Sequence, residues 1–154
     1  MSFNAESFLN QTIETVTADK TIPHPEGDFE GQITKIDFNH GTSKDSGKVW
    51  VRMKATIKCL DPQVAADVGL DEVKVYDDFF IDLTDEGGLD MSANRNIRLG
   101  KYRTAAGMNN EGEEFNLQML EGATIGYTVN HKLNSEGDPR AILKTVYNPE
   151  EGEE

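Results

Sequence analysis

At 154 residues with one cysteine, the chain has the length of a single domain that buries its own core, and neither a disulfide framework nor a metal is needed to hold it together. Its 28 acidic and 15 basic side chains leave a formal charge of -13, which excludes indiscriminate attraction to a nucleic-acid backbone and makes the distribution of charge more telling than its sum. There is no run of about 18 apolar residues, and the opening MSFNAESFLNQ lacks a basic cluster ahead of an apolar stretch, so the chain reads as soluble and cytoplasmic with no membrane partner.

In chain order, residues 1–25 read as an N-terminal arm. Phe3, Phe8, Leu9 and Ile13 predict a short amphipathic helix over Ala5 to Glu14 capped by Asn4, which serves either as a docking segment for a homodimer or as a cover for one end of the domain. Ile22-Pro23-His24-Pro25 is a rigid extended entry, because each proline fixes its own φ and pushes the residue before it toward extended geometry. Residues 26–148 form the domain. From Asp28 to Asn39 the pattern is a strand with a fault: Phe29, Gly31 and Ile33 share one parity, Ile36 and Phe38 the other. A β-bulge near Thr34 and Lys35 repairs the register and turns the strand through a corner. Asn39 to Gly47 is a loop by composition.

Lys48 to Cys59 is the most informative stretch. Successive side chains of a strand alternate between faces, which sets Val49, Val51, Met53, Ala55, Ile57 and Cys59 against a core and Lys48, Trp50, Arg52, Lys54, Thr56 and Lys58 outward. Cys59 packs as a small hydrophobe. Asp61 to Asp71 holds a turn and about one turn of helix. Val73 to Leu83 alternates again, with Lys74, Tyr76, Phe80 and Asp82 outward and Asp77 breaking the apolar parity. A helix beginning at Ser92 or Asn94 and ending near Ala106 presents Leu99, Tyr102 and Ala106 inward, and Gly107 stops it. A short turn over Phe115 to Leu120 plugs the core. Ala123 to Leu133 and Arg140 to Tyr147 close the domain as a hairpin, and residues 149–154 form an acidic tail too charged to fold.

Three strands, a helix and two more strands, with the first strand bulged, predict an all-β fold with one helix: a five-stranded OB-fold-like Greek-key barrel whose binding face lies on strands two and three. On that face Trp50, Tyr76 and Phe80 are stacking surfaces, and Arg52, Lys54, Lys58 and Lys74 neutralise phosphates. Lys44 in the first loop and Lys132 and Arg140 around the last hairpin stand at the groove's edges. Arg95, Arg98, Lys101 and Arg103 form a second acid-free basic window, which either extends the nucleic-acid path or docks the tail. His24, His40 and His131 lie far apart with no second ligand at metal spacing, so each reads as a loop or surface residue, and neither a metal nor a cofactor is assigned.

The run Pro25-Glu26-Gly27-Asp28-Phe29-Glu30, then Ile33, a Gly47-terminated loop into Val49 to Ala55, and Leu99 to Gly107 resemble small phage-encoded single-stranded-DNA-binding proteins. The likeness spans roughly Ile22 to Pro149. It implies a protein of the infected host cell's cytoplasm that coats or protects single-stranded DNA during phage replication or recombination. Acidity overall and an acidic tail are part of the same likeness; as a tethered polyanion, Glu150, Glu151, Glu153 and Glu154 are expected to compete with weakly bound nucleic acid at the groove and, once freed, to recruit replication or recombination proteins. No Gly-rich phosphate loop or nucleophile-and-base motif is present, so no enzyme is read. The rival class is a virion structural or adaptor protein that binds no nucleic acid.

Overall fold

The computed structural model describes residues 2–150. Its body is one antiparallel sheet of five strands, β1 (Gly27–Thr42), β2 (Val49–Cys59), β3 (Lys74–Ile81), β4 (Thr124–Leu133) and β5 (Pro139–Tyr147), in the order β3-β2-β1-β4-β5. Three helices accompany it: α1 (Ala5–Leu9) in the arm, α2 (Pro62–Val68) between β2 and β3, and α3 (Ile97–Ala105) between β3 and β4. Among the described residues no helix is long and apolar enough to cross a membrane.

β1 is shared by both halves of the sheet. Its first part pairs with β4, from Gly27 opposite Val129 to Gln32 opposite Thr124, and its longer part pairs with β2. The change of register between Ile33 and Lys35 falls where the parity fault predicts it. Before the bulge Ile33 faces Ile57 across the ladder; after it Ile36 faces Ala55 and Phe38 faces Met53, so the apolar parity is restored, with Ile36 packed on the core and Phe38 still 46% exposed. Gly31 sits at the pinch. A Cβ there would come within 2.5 Å of the Ile57 side chain and 2.8 Å of the Tyr127 ring, so the core parity needs a glycine at this point rather than another aliphatic. Ile33, Met53, Ala55, Ile57, Leu120, Ile125 and Tyr127 are fully buried beneath the sheet, and each large apolar member contributes on the order of 2 kcal/mol by leaving water.

Among the described residues β3 and β5, the two edges of the sheet, share no backbone ladder. A side chain joins them instead. Arg98 of α3 pairs with Asp77 of β3 at 2.7 Å and donates to the carbonyl oxygens of Lys144 (2.8 Å) and Leu143 (3.1 Å) on β5. The Tyr102 hydroxyl donates to the same Asp77 oxygen at 2.8 Å. The carboxylate that breaks the apolar parity of β3 is therefore the acceptor around which helix and edges meet. Burial and the Asp77 charge push the Tyr102 hydroxyl far above its ordinary pKa, so it remains a donor at any working pH.

Several boundaries move relative to the sequence expectation. α1 ends at Leu9 rather than Glu14, and α3 begins at Ile97 because Asn94 and Asn96 adopt left-handed backbone conformations. The Asn96 side chain is occupied elsewhere: it accepts from the Asp82 N–H (2.7 Å) and donates to the Asp82 and Asp90 carbonyls (2.9 and 3.0 Å). Asp82 lies just beyond β3 and tethers the loop to the helix start instead of adding charge to an outer face. α2 fills the β2–β3 connection with about two turns, capped by Asp61 and stopped by left-handed Gly69.

His24 requires a correction. Placed by sequence in the arm and read as a surface group, it is 5% exposed and packs between Phe29 and Tyr127. Its Nδ1 contacts the Pro25 carbonyl at 2.8 Å and its Nε2 the Tyr127 hydroxyl at 2.9 Å, while His131 Nε2 reaches the His24 carbonyl at 2.6 Å. The neutral tautomer assigned from these contacts donates from Nδ1 and accepts at Nε2. Burial, aided by the nearby His131, lowers its pKa below 6.5, against opposing pulls from Pro25 and Asp61. Because the folded pKa is the depressed one, the stabilisation is complete above pH 6.5 and fades as pH falls through the folded value. Thermal unfolding at pH 7.5 and 5.5 is expected to show a loss of stability on acidification that is smaller in His24→Gln; equal losses in both proteins would assign the acid sensitivity elsewhere.

Candidate nucleic-acid interface

The outer face of β1, β2 and β3 brings together half of the sequence-predicted nucleic-acid site: Trp50, Arg52, Lys54, Lys58, Lys74, Tyr76 and Phe80. The register sets Arg52 opposite Phe80, Lys54 opposite Asp78, Thr56 opposite Tyr76 and Lys58 opposite Lys74, with Gly41, Asn39 and Asp37 of β1 opposite Trp50, Arg52 and Lys54. Phe80 is 64% exposed and Tyr76 55% exposed. Four residues apart on one strand, they stand roughly 13 Å from each other along β3. Both rings therefore offer a flat apolar face to solvent on the same side of the sheet. Lys54 Nζ lies 4.8 Å from the Tyr76 ring centroid, a cation–π contact that fixes a charge beside the stacking surface.

Trp50 is half-buried. Its indole crosses β1 at Gly41, where a Cβ would come within 2.7 Å of the ring, and it meets the Phe80 ring edge-on at 6.1 Å between centroids. The indole thus supports Phe80 and offers a base less of its own surface than Phe80 does. Thr56, outward by parity, is buried beneath its neighbours.

Charge on this face is positive but not purely so. Arg52, Lys54, Lys58, Lys74 and Lys35 gather there, while Arg52 is paired with Asp78 at 2.8 Å, Lys35 with Asp37 at 3.5 Å and Lys74 with Glu72 at 3.5 Å. These pairs are well exposed, and each contributes at most about 1 kcal/mol, so a phosphate can compete for the cation. Asp37, Asn39 and Gly41 are site neighbours that the initial sequence reading leaves out. The signal was present: once the bulge reverses parity after Thr34, the residues alternating with Ile36 and Phe38 must point outward.

The remaining basic residues divide. Lys44 is exposed in the β1–β2 loop, which is closed by the Ser43 N–H to Lys48 carbonyl bond at 2.8 Å. Lys132 and Arg140 are exposed and directly opposite each other on the β4–β5 hairpin, and Arg140 lines a groove with Lys74 and Tyr76. Arg95, ahead of α3, and Lys101 on it are exposed, but the guanidiniums of Arg98 and Arg103 are held internally. Arg98 bridges β3 and β5, and Arg103 donates to the Met108 carbonyl at 3.1 and 3.3 Å while lying 4.3 Å from the Phe115 ring centroid. These two are corrected from phosphate contacts to structural ties. Glu150 is exposed; Glu151, Glu153 and Glu154 lie outside the described residues.

Removing the carboxylate between the two rings offers a sensitive probe of this face. Asp78→Ala frees Arg52 and deletes a negative charge. Affinity for a poly-dT oligonucleotide at low salt is expected to rise several-fold, with little change in thermal stability because the ion pair is exposed. An unchanged or weaker affinity would place the nucleic acid off this face. Neither a family model nor a curated protein matches the chain.

Proposed function

We propose that the protein binds single-stranded DNA without catalysing a reaction, by stacking bases on the outer face of β1–β3 and neutralising their phosphates with the flanking cations. The observation that carries this reading is the pair of exposed rings, Phe80 and Tyr76, on one face beside Lys54, Arg52, Lys58 and Lys74 in a chain whose net charge is -13. Solvent-exposed aromatic rings forgo the gain of burial, and a cationic setting on an acidic protein matches what a single strand presents: π-faces and phosphates. We further propose that the open five-stranded sheet is of the OB type, which agrees with this reading. The sheet order, the bulged first strand shared by both halves and a helix between the third and fourth strands fit that fold, whose ligands lie across strands two and three.

Within this reading the protein coats and protects single strands during phage replication or recombination in the cytoplasm of the infected host cell, as the resemblance to phage single-strand-binding proteins implies. The acidic tail, tethered to the domain and so held at high effective concentration, competes with weakly held DNA and is released to replication or recombination partners when a longer strand binds. Truncation after Asn148 is then expected to raise affinity and alter its salt dependence.

A titration with poly-dT, followed by Trp50 fluorescence and by the anisotropy of a labelled oligonucleotide at several salt concentrations, tests the proposal. Engaging about four phosphates corresponds to a slope of log K against log salt near -3. A second reading, a virion structural or adaptor protein, is favoured by the exposed apolar arm and by the partial burial of Trp50. It predicts no response to poly-dT at any salt.

A further inference from the structure

We infer that the groove between the unladdered edges β3 and β5 receives the N-terminal arm of a second copy of this chain, so that two copies exchange arms about a twofold axis. Tyr76 and Lys74 line this groove as well as the proposed nucleic-acid face, so an arm seated here covers one end of that face. The arm is an apolar element with nothing against it: every residue from Ser2 to Ile22 is exposed, Val16 to 96%. Its apolar residues are not scattered. Ala5, Leu9, Ile13 and Val16 recur at helical spacing and form one stripe, with Phe8 beside it. The α1 helix stops at Leu9, short of the end of that stripe, and a helix of that length has too few residues to persist alone, since isolated helices need about 12–15 residues. Docking against an apolar surface supplies what extension to Val16 lacks.

Such a surface lies where the sheet fails to close. A groove of about 440 Å³ is walled by Val68 and Leu70 from α2 and its exit, Val73 ahead of β3, and Ala141 and Leu143 of β5. Leu70 is exposed at its mouth. The chain's own Ile22 and His24 form part of the wall, and Lys20 is tied to Asp138 of the β4–β5 turn at 3.0 Å, so the arm leaves its own body beside the groove without entering it.

Charge selects the occupant. Residues 2–19 carry Glu6, Glu14 and Asp19 and no lysine or arginine. At the groove stand Lys74 and Arg140, the latter directly opposite Lys132. Like charges facing each other across a ladder are destabilising, and neither Lys132 nor Arg140 has an ion-pair partner among the described residues. The acidic arm of a second copy supplies the missing anions together with the apolar stripe, in a self-complementary contact that closes at two copies.

Sedimentation of the full chain without nucleic acid is expected to give twice the chain mass, and Ile13→Asp with Val16→Asp to give the single mass and a thermal midpoint that, unlike the parent's, does not rise with protein concentration. Contact between copies is read separately by mixing Val16→Cys protein with Leu70→Cys protein, each also carrying Cys59→Ala; a mixed disulfide dimer is expected on mild oxidation. The inference is overturned by a full chain that stays monomeric as concentration rises, or by a dimer indifferent to the arm substitutions. It is also overturned if a single chain carrying both Val16→Cys and Leu70→Cys, with Cys59→Ala, closes its disulfide within itself, or if Arg140→Glu weakens poly-dT binding without affecting mass, which would assign the groove to nucleic acid.

Discussion

Asp77→Ala is expected to destabilise the fold by about 3 kcal/mol, lowering the Tm by roughly 6–12 °C for a domain of this size. The substitution removes the acceptor of two donors at once and leaves the Arg98 guanidinium and the Tyr102 hydroxyl facing a site that is mostly closed to water; the Asp77 and Arg98 side chains are 13% and 25% exposed. Arg98→Ala should cost a comparable amount, since it strands the carboxylate and also severs the link to the Leu143 and Lys144 carbonyls. The two losses should not add. Once one partner is gone the other has little left to lose, so the double variant Asp77→Leu with Arg98→Met is expected to recover much of the stability. Thermal unfolding of the four proteins gives the coupling directly, and amide exchange along β5 should quicken in each single variant. A single variant within 2 °C or so of the parent would show that the packing of Leu99 and Tyr102, rather than the guanidinium, holds the two edges together.

That tie shows where reading a sequence stops. The parity of β3 exposed Asp77 as an anomaly, because a period of two is a local property that any strand displays on its face. Its partner was not legible. Arg98 lies 21 residues away on another element and looked, by composition, like one more member of a basic window. The bulge in β1 was legible for the same reason that Asp77 was conspicuous: both are breaks in a short period. His24 lacked any such signal, being a lone histidine between prolines, and only the return of β4 brings Tyr127 and His131 against it. The face on which Trp50 lies followed from parity. Its half-burial did not, because that depends on which residue of β1 lies opposite, and the pairing with Gly41 is fixed only once the bulge has set the register. Boundaries of α1 and α3 shifted because the C-cap at Asn10, whose side chain donates to the Glu6 carbonyl, and the left-handed residues Asn94 and Asn96 outweighed the apolar spacing that suggested longer helices.

Phe80→Ala and Tyr76→Ala are expected each to weaken binding of a poly-dT oligonucleotide by about 1–3 kcal/mol, roughly 5- to 150-fold in Kd, while leaving the fold within about 1 kcal/mol of the parent. Exposure is what separates the two effects: rings that are 64% and 55% accessible contribute modestly to the core and strongly to a ligand that stacks on them. The two variants should differ in character. Phe80→Ala removes the ring that meets the Trp50 edge, so it should shift the indole emission before any DNA is added and diminish the change on titration. Tyr76→Ala withdraws the ring beneath Lys54, freeing that cation without deleting it, so the salt dependence should stay near its parent value while affinity at every salt falls. Lys54→Ala is the mirror case, with the slope of log K against log salt reduced by about 0.7 and the stacking surface left in place. Affinity unchanged in both aromatic variants would remove the stacking face from consideration and leave the contact-protein reading in possession of the same exposed rings.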